Sequence, residues 1–125
     1  MSEKGFACAI NCMDGRVQLP VIQFVRQLSG AEYVDMVTEP GPVRILSEGK
    51  PEETEQIKKR VAISVQKHQS RLVAVVAHYD CAGNSVDKSH QLTQINRAIE
   101  QIKNWGFPVE VIGLWVDENW QVSLI

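Results

Sequence analysis

The sequence predicts an α/β fold: a three-layer domain over residues 1–125, with a mostly parallel sheet covered by helices on both faces. Three observations carry this reading. Short apolar runs alternate along the chain with segments of helical periodicity. The run Leu72 to Ala77, Leu-Val-Ala-Val-Val-Ala, lacks polar alternation, as a parallel strand buried on both faces does. The length of 125 residues fits one domain with a sizeable core.

Taken in order, Phe6 to Cys12 reads as the first strand. Gln18 to Ser29 follows as a helix, with Val21, Ile22, Val25 and Leu28 at helical spacing, Pro20 in its first turn and Gly30 at its C-terminal end. Glu32 to Thr38 is the second strand, and Pro40-Gly41-Pro42 breaks it. The segment Glu39 to Lys50 reads as one long irregular stretch. Pro51 opens the second helix, with Glu52, Glu53 and Glu55 near its positive end and Ile57, Val61 and Val65 as its apolar stripe. Leu72 to Ala77 is the third strand. Asp87 or Ser89 caps a third helix striped by Leu92, Ile95, Ile99 and Ile102, which Gly106-Phe107-Pro108 ends. Val109 to Val116 is the fourth strand, and Asp117-Glu118-Asn119 turns the chain into a last short strand, Gln121 to Ile125. The order is β-α-β-α-β-α-β-β. If the winding reverses between strands one and three, the sheet order is 2-1-3-4, with strand 5 antiparallel at an edge.

Composition narrows the functional classes. A net charge of −2 and a pI of about 5.9 argue against a nucleic-acid partner. The basic run Lys58-Lys59-Arg60 falls within a helical pattern and reads as a solvated face. Met1-Ser2-Glu3-Lys4 is charged and runs straight into a strand, so no signal peptide is expected, and no apolar stretch approaches the roughly 18 residues of a membrane span. The expected location is the cytoplasm, with no membrane partner. Three cysteines, an odd count without an export signal, favour reduced thiols in metal or catalytic roles.

Two strings carry the chemistry: Cys12-Met13-Asp14-Gly15-Arg16 and His78-Tyr79-Asp80-Cys81. Each follows a predicted buried strand. Two thiolates and an imidazole suit Zn2+, and three protein ligands leave one tetrahedral position free for chemistry. Asp14 and Arg16 form a carboxylate–guanidinium pair beside the first thiolate. If strands one and three are neighbours, the two strings face each other across the crevice at the switch point. Cys8 shares a face with Cys12 by strand alternation, but about 13 Å of strand separates them, so Cys8 reads as a small buried hydrophobe. Asp80 reads equally as a plain turn acid or as a hydrogen-bonding neighbour of the metal site. His68 and His90 are expected to face solvent on helices, and Trp105, Trp115 and Trp120 to pack or form an oligomer contact. Pro40-Gly41-Pro42 is either a rigid loop or a pocket wall.

Cys-x-Asp-x-Arg after the first strand and His-x-x-Cys after a later one resemble the β-class carbonic anhydrases. The resemblance extends to the strand before each motif, the Ala82-Gly83-Asn84 turn and the Val111 to Leu114 strand entering a hairpin. It implies that Cys12, His78 and Cys81 bind zinc. It also implies that Asp14 and Arg16 form a catalytic dyad that either orients the site or releases Asp14 to the fourth zinc position. The implied activity is reversible hydration of CO2 to bicarbonate by zinc-bound hydroxide, in a homodimer or a multiple of dimers. The chain departs from the family pattern in three ways. It lacks the N-terminal helical arm of many members, has Thr38 to Val43 in place of an Arg-Asn-Ala-Gly-type stretch, and has Ala82 in place of the usual glycine. These departures keep two alternatives open: a hydrolase of a CO2-like molecule such as carbon disulfide or carbonyl sulfide, or a non-catalytic zinc module closed by Asp14. A thiol redox protein is disfavoured because no Cys-x-x-Cys is present.

Overall fold

The computed structural model describes residues 5–125; the reading of Met1 to Lys4 lies outside the described residues. Within them the sheet has five strands: β1 (Phe6–Cys12), β2 (Tyr33–Glu39), β3 (Leu72–His78), β4 (Glu110–Val116) and β5 (Val122–Leu124). Four helices connect them: α1 (Gln18–Ser29), α2 (Pro42–Glu48), α3 (Pro51–Lys67) and α4 (Lys88–Asn104), with a short 3-10 turn at Gly15–Val17. The sheet order is β2-β1-β3-β4-β5. The first three pairings are parallel and β4–β5 is antiparallel, as the sequence predicts.

The central strands position the site. β1 pairs with both β2 and β3, and every residue of β3 is buried. The sheet divides the apolar interior in two. On one side Ile10, Val73 and Val75 pack under α2, α3 and α4 through Leu46, Ile57, Val61 and Ile95. On the other, Ala9, Ala74 and Val76 pack under α1 through Val21 and Val25. Small alanines at the centre of β1 and β3 let α1 lie close to the strands. Among the described residues, no helix is long and apolar enough to cross a membrane.

Four expectations are corrected. The stretch Glu39 to Lys50 is not irregular, because Pro42–Glu48 forms α2. Pro42 starts that helix, where its missing N–H costs nothing, and Val43, Ile45 and Leu46 are buried beneath it. Cys8 and Cys12 do not share a cluster: Cys8 lies on the α3 side, while Cys12, at the strand's last position, packs on the α1 side with Cys81. His68 does not simply face solvent. It follows the end of α3, stacks on Phe6 with ring centroids 4.1 Å apart, and places Nδ1 2.7 Å from Asp35 Oδ2. The basic run is only partly free, since Arg60 is ion-paired with Glu39. Of the two proposed caps, Asp87 caps α4, its carboxylate accepting the His90 N–H at 2.9 Å.

Candidate metal centre

Cys12 is the last residue of β1 and His78 the last of β3, so the parallel pairing of these strands sets them side by side at one end of the sheet. The chain after each strand is tied down locally. The buried Asn11 accepts the Cys12 N–H at 2.9 Å and donates to the Val17 carbonyl at 3.2 Å, closing the turn that carries Asp14 and Arg16. Gln18 Nε2 donates to the carbonyls of Cys12 and Asp14, at 2.7 and 3.0 Å. After β3, the buried Gln91 donates from Nε2 to the His78 carbonyl at 3.0 Å. None of these three residues stands out in the sequence, because a buried amide bracing a neighbouring backbone has no spacing signature.

The loop after β3 meets the loop before α2 backbone to backbone. Gly41 has φ +64°, and a Cβ there would lie 2.8 Å from the Gly83 carbonyl oxygen. A Cβ on Gly83 would lie 2.6 Å from the Pro40 carbonyl carbon. Both positions therefore exclude side chains. Arg44 Nε donates to the Gly83 carbonyl at 3.0 Å and locks the contact. Pro40-Gly41-Pro42 is thus a wall against the loop that carries Cys81.

The ligand atoms of Cys12, His78 and Cys81 lie within 4.8 Å of one another, and all three residues are buried. Two sulfurs each about 2.3 Å from a tetrahedral ion stand about 3.8 Å apart, and the Cys12 and Cys81 sulfurs are 3.8 Å apart. His78 Nδ1 lies 2.7 Å from the Tyr79 carbonyl oxygen, which can only accept, so Nδ1 carries the proton and Nε2 presents its lone pair. Nε2 is buried and has no hydrogen-bond partner among the described residues. A buried, orphaned lone pair beside two thiols fits a metal ligand. Cys8 is outside the cluster.

The two sulfurs are in hydrogen-bond contact. The hydrogen bond from Cys81 is the main force holding the Cys12 thiol below its ordinary value; burial opposes it, and the backbone N–H groups of Gly41 and Asp14 assist. Cys81 is pushed up by the same contact. A dication bound between them would displace the proton and hold both groups as thiolates.

Asp14 stands next to this cluster. Arg16 donates from Nε to its Oδ1 at 3.0 Å and from Nη2 to its Oδ2 at 2.6 Å, and this pairing holds the carboxyl down to about 2. Asp80 is more than a turn acid, since it touches Arg16. Trp120 also lies against Arg16, whereas Trp115 is buried in the core and Trp105 packs against it. A separate cavity of about 870 Å3 opens at the other end of the sheet, lined by Phe6, Leu28, His68 and Arg71, and shares no residue with the thiol cluster.

Residues 2–125 match the model of a protein family described as "Putative carbonic anhydrase". The chain belongs to this family. Solved structures of similar fold include a β-carbonic anhydrase of the filamentous ascomycete Sordaria macrospora, from a study of two tetrameric enzymes, at 12% identity and a TM-score of 0.56, covering 100% of this chain and 82% of that one. The β-carbonic anhydrase CcaA matches at 12% identity and a TM-score of 0.59, covering 97% of this chain and 80% of its own. CafA of the fungal pathogen Aspergillus fumigatus, also a β-carbonic anhydrase, matches at 12% identity and a TM-score of 0.53, covering 99% and 76%. At this identity the structures establish the fold. No curated protein matches the chain in sequence.

Proposed function

We propose that this carbonic anhydrase family member binds Zn2+ through Cys12, His78 and Cys81 and interconverts CO2 and bicarbonate. The observation that carries the reading is the tetrahedral spacing of the two sulfurs beside the orphaned His78 Nε2, with an ionised carboxylate, Asp14, at the same end of the sheet. Zinc there would lower the pKa of water at the coordination position that the protein leaves free, supplying a nucleophile for the carbon of CO2.

The chain's own residues supply the rest. Cys12 and Cys81 would neutralise the ion as thiolates, and the Tyr79 carbonyl fixes the His78 tautomer that leaves the Nε2 lone pair free to bind it. Asp14 remains ionised well into acid because of Arg16, so it accepts a hydrogen bond from the attacking water and aims the water's lone pair at CO2. Arg16 holds Asp14 in that role through a two-point ion pair. The same pair is what would keep Asp14 out of the fourth position, which it fills in the non-catalytic alternative.

A homodimer or a multiple of dimers fits the tetrameric relatives of similar fold and the exposed Met13, Leu19 and Tyr79 near the site. Reduced, metal-binding thiols fit the cytoplasm. A match that spans residues 2–125 fits a single-domain reading.

The test is zinc content and stopped-flow CO2 hydration measured on the same sample, with Cys81→Ala as control. One zinc per chain with hydration that the control lacks supports the reading. Full zinc without hydration at any alkaline pH supports the closed module instead. Hydrolysis of carbon disulfide or carbonyl sulfide without CO2 hydration would reassign the substrate.

A further inference from the structure

The hydration reading assigns no role to Asp80 or Trp120, yet both hold backbone conformations that residues with side chains rarely adopt. φ is +59° at Asp80 and +60° at Trp120. For an aromatic residue such a value is an outlier, and it persists only where the surroundings impose it. The β4–β5 hairpin imposes it on Trp120. The Asp117 carboxylate accepts the N–H groups of Asn119 and Gln121 at 2.9 and 3.0 Å, and the Trp120 N–H donates to the Asp117 carbonyl at 2.9 Å. The result sets the indole face 4.5 Å from the Arg16 guanidinium carbon. The left-handed turn at Asp80 aims two acceptors at the same group. Its carboxylate Oδ2 lies 3.2 Å from Arg16 Nη1 and its carbonyl oxygen 3.1 Å from Nη2. Arg16 commits Nε and Nη2 to Asp14. One guanidinium is thus met by Asp14 on one edge, Asp80 on another and Trp120 on its face. These contacts come from three separate parts of the chain.

We propose that Asp80 and Trp120 are positioning residues, which fix the plane of Arg16 against Asp14 and so set how firmly Asp14 is kept from the metal. The Arg16 side chain is 45% exposed, and a lone exposed ion pair is a weak, mobile restraint. A stacked face and a second acceptor edge turn it into a fixed one. The catalytic consequence rests on the hydration reading, while the seating of Arg16 stands on geometry alone.

The experiment follows the Arg16 Nε–H resonance in 1H–15N spectra of the zinc-loaded protein, with hydration kinetics alongside. In Trp120→Ala the resonance moves as the ring current is lost, and its exchange with water speeds up. In Asp80→Asn the exchange speeds up with a smaller change in position. With zinc retained, kcat in Trp120→Ala falls about 10-fold, as for loss of other groups that orient a metal site. KM is unchanged, and Trp120→Phe restores most of the rate. An Arg16 resonance unmoved in position and exchange in both variants overturns the proposal. Should Trp120→Ala fail to fold, Asp80→Asn decides alone, because the Asp80 side chain is 68% exposed and its change spares the core. A responsive Arg16 in a protein that hydrates no CO2 keeps the seating and removes the hydration reading. Normal hydration with an unresponsive Arg16 does the reverse.

Discussion

Cys8 lies in the middle of β1, fully enclosed, where burial pushes its thiol up to about 12 against a weak opposing contact from Ser64. Cys12 ends the same strand, scarcely more exposed, and its thiol is pulled down by Cys81, against burial, with help from backbone N–H groups of two loops. Both are cysteines closed to solvent, although Cys12 lies nearer the molecule's edge, so residue type and exposure alone do not make the site. The difference is that β1 and β3 stop together at Cys12 and His78, and the loops that leave them turn donors and charges inward. Mid-strand backbone groups are consumed by the ladder and have nothing to offer a thiolate.

The comparison breaks most sharply when ligand and core thiol are exchanged as targets. Cys81→Ala removes stoichiometric zinc and lowers hydration by more than the roughly 10–100-fold that loss of a merely orienting group costs; metal analysis and stopped-flow assays check both. Arg16→Ala keeps the zinc but frees Asp14, and hydration falls about 10–100-fold; the same two measurements on one preparation separate this outcome from ligand loss. Gly83→Ala drives a Cβ into Pro40 where the two loops touch, and costs about 1–3 kcal/mol in denaturant unfolding. Cys8→Ala leaves zinc and activity intact and costs about 1 kcal/mol of core packing.

The smallest effect is a pH dependence that sharpens the electrostatic half of the contrast. Asp14 has a folded-state pKa lowered from 3.8 to about 2, so the folded chain binds this proton less tightly than the unfolded one. Its contribution to stability is present above about pH 4 and is lost as pH falls towards 2. Unfolding of wild type and Asp14→Asn, followed from pH 6 downward, should therefore converge in acid; parallel curves would contradict the Arg16 pairing.

Much of this was legible from residues alone. The unbroken apolar run of β3 announced a central parallel strand, and the two motif strings at strand ends followed from a single topological reversal. Helix α2 escaped because it has seven residues, too few turns for periodicity to rise above a Pro-Gly-Pro break, although Pro42 followed by Val43, Ile45 and Leu46 was a usable signal. The roles of Asn11, Gln18 and Gln91 were not legible, since amide side chains take their meaning from whichever backbone folds against them. Trp120 and Asp80 were invisible as partners of Arg16 for the same reason. The hairpin and the loop after β3 meet Arg16 only once the sheet has assembled. His68 misled because its partners, Phe6 and Asp35, come from two other strands.

The central claim is that one zinc ion is held by two sulfurs and one imidazole, with a fourth position left to water. X-ray absorption at the zinc edge of the metal-loaded protein tests it directly. The account predicts two sulfur neighbours near 2.3 Å and two lighter neighbours near 2.0 Å, unchanged in Cys8→Ala. A spectrum with three sulfurs, or with a single one, would contradict it.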